Sequence, residues 1–261
     1  MSPVCSVVIP CLNDGEMLER CLAALERQSV PADEVIVVDN GSTDDSVDVA
    51  LRHRARVVHE PARGIPPATA AGFDAAEGEL LLRLDADSVP PRDWIARIVR
   101  AFTEDPSLDV LSGPGRFYGG SGFIHWFAEN VQFALYDHVI GALLGHDVVF
   151  GSNFALRASA WRVLRERVHR ERADVHDDLD LAINIPPGMN VRYDTSLKVG
   201  VSARPFLEWE RWRRGVAMAF HTMAVNGAEE NFWTRRREYL AAAAAVAPPL
   251  AGDEGFDYVA H

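Results

Sequence analysis

Short apolar runs alternate with amphipathic stretches along the first 115 positions. Residues 6–9 form a β-branched run that stops at Pro10. Asn13 and Asp14 follow where a helix N-cap belongs. Met17, Leu18, Cys21, Leu22 and Leu25 then recur at helical spacing. Residues 35–38 are unbroken and apolar, as in a strand buried on both faces. The run ends in Asp39-Asn40-Gly41-Ser42-Thr43-Asp44-Asp45, where Gly41 allows a tight turn and Ser42 or Thr43 can cap a helix. Residues 57–58 make a third strand, 68–76 a helix, 79–84 a fourth strand and 110–112 a fifth. Trp94, Ile95, Ile98, Val99 and Phe102 mark the helix before the fifth strand.

This order predicts an α/β fold with a mostly parallel sheet flanked by helices. Ligands bind such sheets beyond the carboxyl ends of the strands. Residues 10–13, 39–42 and 85–87 all follow strands and should gather on one edge. After Gly113 the pattern changes. Gly115, Gly119, Gly120 and Gly122 break the chain, and 123–144 is aromatic and partly helical. Strands are expected at 148–156, 191–193 and 198–201, and helices at 158–167, 177–183 and 206–226. Residues 227–261 read as a helix and an acidic tail. The chain therefore divides into 1–115, 116–226 and 227–261.

Composition narrows the chemistry. The 261 residues are 48% hydrophobic with 6 Trp, 12 Phe and 5 Tyr, enough for a sizeable core and too much for global disorder. A net charge of −12 argues against nucleic-acid binding, which needs basic surface. A local anionic ligand remains open, with a divalent cation between it and the protein. The 3 cysteines, Cys5, Cys11 and Cys21, are odd in number and form no Cys-x-x-Cys pair. They suggest neither a disulfide scaffold nor a structural zinc site, but a reducing compartment. No signal peptide is legible at the start, and residues 139–144 fall far short of the ~20 apolar positions of a spanning helix. A cytoplasmic location is expected.

Four groups could carry chemistry. Asp85 and Asp87, two apart at a strand end, put two hard oxygen ligands on one side, a set that suits Mg2+ or Mn2+ holding phosphate oxygens. Asp39 can accept from a ribose hydroxyl or a base N–H, or cap the turn that follows. Asp177 and Asp178, with His176 before them and Asp180 after, either complement a helix dipole or leave one carboxylate as a general base. Arg211, Arg213 and Arg214, beside Trp209 and Trp212, offer guanidinium forks for phosphate, or a solvated basic face over buried tryptophans.

Together these segments resemble the family 2 glycosyltransferases of GT-A fold, over about residues 4–220. Ser6-Val7-Val8-Ile9-Pro10-Cys11-Leu12-Asn13-Asp14 is similar to the family's opening strand and nucleotide-binding loop, with Asp14 where Glu is common. Glu34 to Asp44 resembles its second nucleotide-binding segment, in which Asp39 would contact base or ribose. Arg83-Leu84-Asp85-Ala86-Asp87-Ser88 resembles its Asp-x-Asp, with Asp85 toward the ribose and Asp87 on the metal. Gly151 to Arg157 resembles the acceptor-side segment, which holds Asn153, and Asp177-Asp178 fits the acidic pair whose second member, Asp178, would be the base. The resemblance implies that 1–115 binds the nucleotide sugar through Pro10, Asn13, Asp14, Asp39, Gly41 and Asp85. It also implies that 116–226 binds the acceptor, with Asn153 and Asp177 on that side.

Two departures matter. The family's Ala-Arg-Asn is replaced by Ala68-Thr69-Ala70, so a guanidinium near the diphosphate is either missing or replaced, with Arg63 as the replacement; Arg214 is a separate candidate for binding the nucleotide sugar. The Gln-x-x-Arg-Trp of processive synthases is absent from 208–214, which implies transfer of a single sugar. The resemblance thus implies an inverting, metal-dependent transfer from a UDP- or GDP-linked sugar to a hydroxyl of a glycan or lipid-linked acceptor. Trp126 and Phe127, within 123–127, read either as core of the acceptor region or as a peripheral contact with the inner face of a membrane.

Two other classes compete. Leu84-Asp85-Ala86-Asp87-Ser88-Val89 also resembles the nucleophile motif of haloacid-dehalogenase-type phosphatases, but the single lysine, Lys198, follows the acidic pair instead of preceding it. A catalytically inactive nucleotide-sugar-binding module is the other reading. The presence of Asp39, Asp85, Asp87 and Asp178 weighs against it.

Overall fold

A computed structural model describes residues 2–122 and 133–246. Strands β1 (Cys5–Cys11), β2 (Glu34–Asp39), β3 (Arg56–His59) and β4 (Leu80–Arg83) alternate with helices α1 (Gly15–Leu25), α2 (Ser46–Arg52) and α3 (Ile65–Ala75). Helix α4 (Trp94–Glu104) leads to β5 (Leu108–Ser112) and β6 (Gly115–Tyr118). The second half holds α5 (Phe133–Leu144), β7 (Phe154–Arg157), α6 (Ala158–Leu164), α7 (Asp177–Ile183), β8 (Asn190–Tyr193) and β9 (Val199–Ser202). It closes with α8 (Arg204–Leu207), α9 (Trp209–Glu229) and α10 (Phe232–Val246).

Seven strands form one sheet in the order β3-β2-β1-β4-β7-β5-β8, and β6 pairs with β9 in a second, two-stranded sheet. The large sheet is parallel except for β7, which runs antiparallel to both β4 and β5. Because strand side chains alternate faces, Val7 and Ile9 pack with Leu18, Trp94 and Ile98 on one side. Val8, Ile36 and Val38 pack with Phe73, Phe154 and Trp161 on the other. Both faces are covered, so these strands read as continuous apolar runs. The chain reverses its winding between β1 and β4, which sets the carboxyl ends of β1, β2 and β4 around a crevice.

Among the described residues the expected elements are present, except that Gly115–Tyr118, expected as a break, forms β6, and three further differences stand out; the expected tail over 247–261 lies outside the described residues. The strand expected over 148–156 starts only at Phe154, because β7 is wedged antiparallel and the residues before it turn along the sheet edge. The long helix expected over 206–226 is two, broken at Glu208, whose backbone is extended (φ −116, ψ 101). Neither Ser42 nor Thr43 caps a helix: α2 begins at Ser46, behind Asp45. Strands β7 and β8, from the expected acceptor part, complete the same sheet as β1–β5. Trp126 and Phe127 lie outside the described residues.

Helix α3 approaches the sheet through Gly72, where a Cβ would collide with Val8 and lie 2.8 Å from Val38 Cγ2. Overpacking of this kind typically costs about 1–3 kcal/mol. Gly72→Ala is therefore expected to lower the melting temperature measurably, and an unchanged melting curve would show that α3 is free to shift.

Candidate functional site

The loops after β1 and β2 are stitched together. Asn13 adopts a left-handed backbone (φ 52) that turns its side chain across the gap. Its Oδ1 accepts from Thr43 N at 2.7 Å, and its own N–H donates to Ser42 Oγ at 3.1 Å. Asp14 N donates to Ser46 Oγ and Gly15 N to Asp44 Oδ2. Gly41 carries the positive φ (84) that the turn needs. Asp39 ends β2 with its Oδ1 accepting from Ser42 N at 2.9 Å, while Oδ2 lies 3.2 Å from His59 Nδ1. Burial works against its charge, but the hydrogen bonds from Ser42 and His59 outweigh that and hold it below the usual carboxylate range. Arg63 lies beside this turn, with Nη2 3.4 Å from Gly41 O.

The loop after β4 is built differently. Arg83, fully buried, sends Nη1 to Asp85 Oδ1 (2.5 Å) and to Gly151 O, and Nη2 to Asp177 Oδ2 (3.0 Å). The second oxygen of Asp85 accepts from Ser152 Oγ. Both carboxylate oxygens of Asp85 are therefore engaged. Asp87 is not tied down this way: its side-chain partner is Arg204, at 3.1 Å from Oδ2. Burial first, then the charge of Asp85, push Asp87 up to about 6, against the pull of Arg204.

Asp177 and Asp178 start α7. Asp178 accepts from Gly151 N on Oδ2 (2.7 Å) and from Leu179 N on Oδ1 (2.7 Å), with His176 Nδ1 also 2.7 Å from Oδ1. Burial raises its pKa, but the positive His176 and these bonds more than offset it and leave it lowered. His176 is correspondingly pushed up to about 9, chiefly by the charge of Asp178. Asp177 accepts from Arg83 and, at 3.2 Å, from Thr69 Oγ1. Burial raises it despite Arg83. A carboxylate offers about four lone-pair sites. Asp178 has three taken, which leaves one on Oδ2.

His176, Asp177 and Asp178 place one ligand atom each within 4.8 Å, the spacing of a metal trio. Their charges are already offset from within the fold, Asp178 by His176 and Asp177 by Arg83. Asp87 is also paired, with Arg204, but through one N–H at 3.1 Å on Oδ2 that leaves Oδ1 with no side-chain partner among the described residues, which fits a hard divalent cation better.

The structure brings Pro10, Asn13, Asp14, Asp39, Gly41, Arg63, Asp85, Asp87, Asp177 and Asp178 to one end of the sheet. Two expected residues lie elsewhere. Asn153 is fully buried. Its Oδ1 accepts from Trp94 Nε1 (2.8 Å) and its Nδ2 donates to Leu197 O (2.5 Å), so it braces the scaffold behind the site. Arg214 is exposed on α9, and no hydrogen bond among the described residues ties it to the site. The neighbouring tryptophans are not buried as the basic-face reading expected: Trp209 is 67% exposed and stacks on Trp212 at 5.0 Å.

Sequence reasoning gave no role to three residues. Arg83 carries the ionic hub, Arg204 forks onto Asp14 (2.8 and 2.6 Å) and reaches Asp87, and Asp180 anchors α7. Buried Asp180 lies 2.7 Å from His169 Nδ1 and accepts from Asn226 Nδ2 (2.8 Å), which ties the acidic pair to α9. An arginine two residues before an Asp-x-Asp, at the end of an apolar run, was the available signal for Arg83. No local pattern marks Arg204.

Comparison with known proteins bears on the family and the fold. The model of glycosyl transferase family 2 matches residues 6–164. An uncharacterized glycosyltransferase of Mycobacterium tuberculosis is 38% identical over 122 residues, 46% of this chain and 51% of that protein. A PGL/p-HBAD biosynthesis glycosyltransferase of Mycobacterium bovis is 34% identical over 119 residues, 43% of this chain and 46% of that one. The chain thus spans about half the length of the curated relatives it matches. A mannosyltransferase of Pyrobaculum calidifontis, solved with GDP-Man and Mn2+, superposes with a TM-score of 0.65 at 23% identity, covering 95% of this chain and 77% of that one. Glucosyl-3-phosphoglycerate synthase of M. tuberculosis, with Mn2+, UDP and glucosyl-3-phosphoglycerate, gives 0.54 at 22% identity, with 76% and 71% covered. These likenesses are of fold, and they identify the sheet as a GT-A fold.

Proposed function

The chain belongs to glycosyl transferase family 2, and on that premise we propose that it moves one sugar from a UDP- or GDP-linked donor to an acceptor hydroxyl, with inversion. The observation that carries this reading is Arg83: one buried guanidinium joins Asp85, on the nucleotide side, to Asp177, beside the base. Donor and acceptor chemistry therefore meet across a single side chain. Asn13, Asp14, Asp39 and Gly41 frame the nucleoside, with Arg63 beside them.

A divalent cation, Mg2+ or Mn2+, fits at Asp87. The support is a stand-in: a guanidinium already sits against that carboxylate, and carboxylate with phosphate oxygens is a hard donor set. When bound, the cation would offset charge on the leaving diphosphate. The chain's own part is the proton. Asp178, kept ionised by His176, takes it from the acceptor hydroxyl as that oxygen bonds to the anomeric carbon. The bond from that carbon to the diphosphate breaks, and its electron pair leaves with the nucleotide. Attack opposite the leaving group inverts the centre.

The acceptor we propose is a glycan or lipid-linked hydroxyl. Among the described residues no helix is long and apolar enough to cross a membrane. Asp87→Ala tests the donor half. It is expected to remove most Mn2+-dependent affinity for UDP or GDP, read by calorimetry with and without EDTA. Equal binding in both conditions by the unaltered protein would overturn the metal assignment.

A further inference from the structure

Arg204 joins two loops remote in sequence, the one after β1 at Asp14 and the one after β4 at Asp87. It lies in α8, just past β9, and its position is set by backbone. Ala203 N donates to Tyr118 O (3.0 Å), and Val89 and Gly200 exchange both of their N–H···O bonds. Tyr118 Oη donates to Asp87 O at 2.6 Å. The second sheet and the Asp-x-Asp loop are therefore one assembly, and Arg204 points from it into the crevice. Its fork is seated on Asp14, and Nη2 is shared with Asp87.

Asp87 is the one carboxylate of its pair with oxygens not spent on the scaffold, and it already has a cation. A divalent ion arriving alone would meet one carboxylate and a guanidinium beside it, a poor exchange. A diphosphate arriving with the ion changes the balance. It supplies hard oxygens to the metal and an acceptor for the N–H that leaves Asp87, while the Asp14 fork keeps Arg204 in place. We propose that Arg204 is the resident counter-cation of Asp87 and makes metal entry conditional on nucleotide entry. The inference rests on the reading of Asp87 as the metal carboxylate.

Mn2+ binding, followed by the electron paramagnetic resonance of the free ion, tests it without any turnover. In the absence of nucleotide, Arg204→Met is expected to bind Mn2+ on the order of tenfold more tightly than the unaltered protein, since a like charge beside the site is gone. Arg204→Lys, which keeps the charge, should stay near the unaltered value. Linkage makes the factor by which Mn2+ strengthens UDP or GDP binding equal to the factor by which the nucleotide strengthens Mn2+ binding. That factor should shrink in Arg204→Met. Melting curves of all variants show that they are folded. Nucleotide-free Mn2+ affinity in Arg204→Met no higher than in the unaltered protein would overturn the role of Arg204, even if Asp87→Ala abolishes Mn2+ binding in the presence of nucleotide. Should Asp87→Ala leave that binding intact, the Asp87 reading itself falls.

Discussion

Asp178→Asn is expected to lower kcat by about 10²–10⁴-fold, the usual range for loss of a general base, while nucleotide binding stays near normal. The substitution is close to isosteric but removes the charge. Asp178 is buried, and His176 stands 2.7 Å away with its pKa pushed up to about 9. At neutral pH the imidazolium therefore keeps the carboxylate ionised and ready to accept. Because Asp178 is held below the usual carboxylate range, it stays charged as pH falls from 7 to 5, and no loss of activity in that window should trace to it. Asp177 has the opposite character. Burial raises it, and Arg83 and Thr69 occupy its Oδ2. Asp177→Asn should act mainly through the Arg83 hub. Single-turnover rates for both variants decide the matter. Near-normal chemistry in Asp178→Asn with none in Asp177→Asn would move the base by one residue.

Much of the frame was legible because α/β periodicity is local. Residues 36–38 and 80–83, within the expected runs, are strand residues buried on both faces, and the polar residues that follow them fall at the ligand edge by topology alone. That is why Asp39, Asp85 and Asp87 could be placed. What was not legible depends on contacts remote in sequence. The antiparallel β7 carries no signature of its direction, yet its insertion turns Gly151 and Ser152 toward Asp178 and Asp85. Arg204 is 190 residues from Asp14 and 117 from Asp87, and a single arginine after a short strand is unremarkable. Asn153 shows the converse, a motif position whose side chain is held by the scaffold. A motif position suggested the acceptor side, but its amide is consumed by Trp94 and Leu197 inside the core.

Arg83→Met should be the most damaging single change to stability. The guanidinium is fully buried between Asp85 and Asp177. Methionine keeps much of the stem's volume but leaves two carboxylates and the Gly151 carbonyl without their donor. Breaking a buried pair by removing one partner typically costs about 3–5 kcal/mol, because the other charge is left unmatched. For a chain of this size that is a fall in melting temperature on the order of 10 °C. The stranded charge, not the lost stem, is the expected cause, and a second substitution separates the two. Asp177→Asn alone removes a hydrogen-bonded charge and should destabilise, yet placed on Arg83→Met it should restore part of the loss, since it neutralises a carboxylate that has lost its hydrogen-bonded cation and keeps only His176, at 4.0 Å. A double variant less stable than Arg83→Met would mean that Asp177 contributes through other partners, Thr69 among them, and that Arg83 acts on Asp85 alone. Rescue of stability without rescue of turnover is the outcome the geometry favours, because the same guanidinium holds the Asp-x-Asp loop against the start of α7.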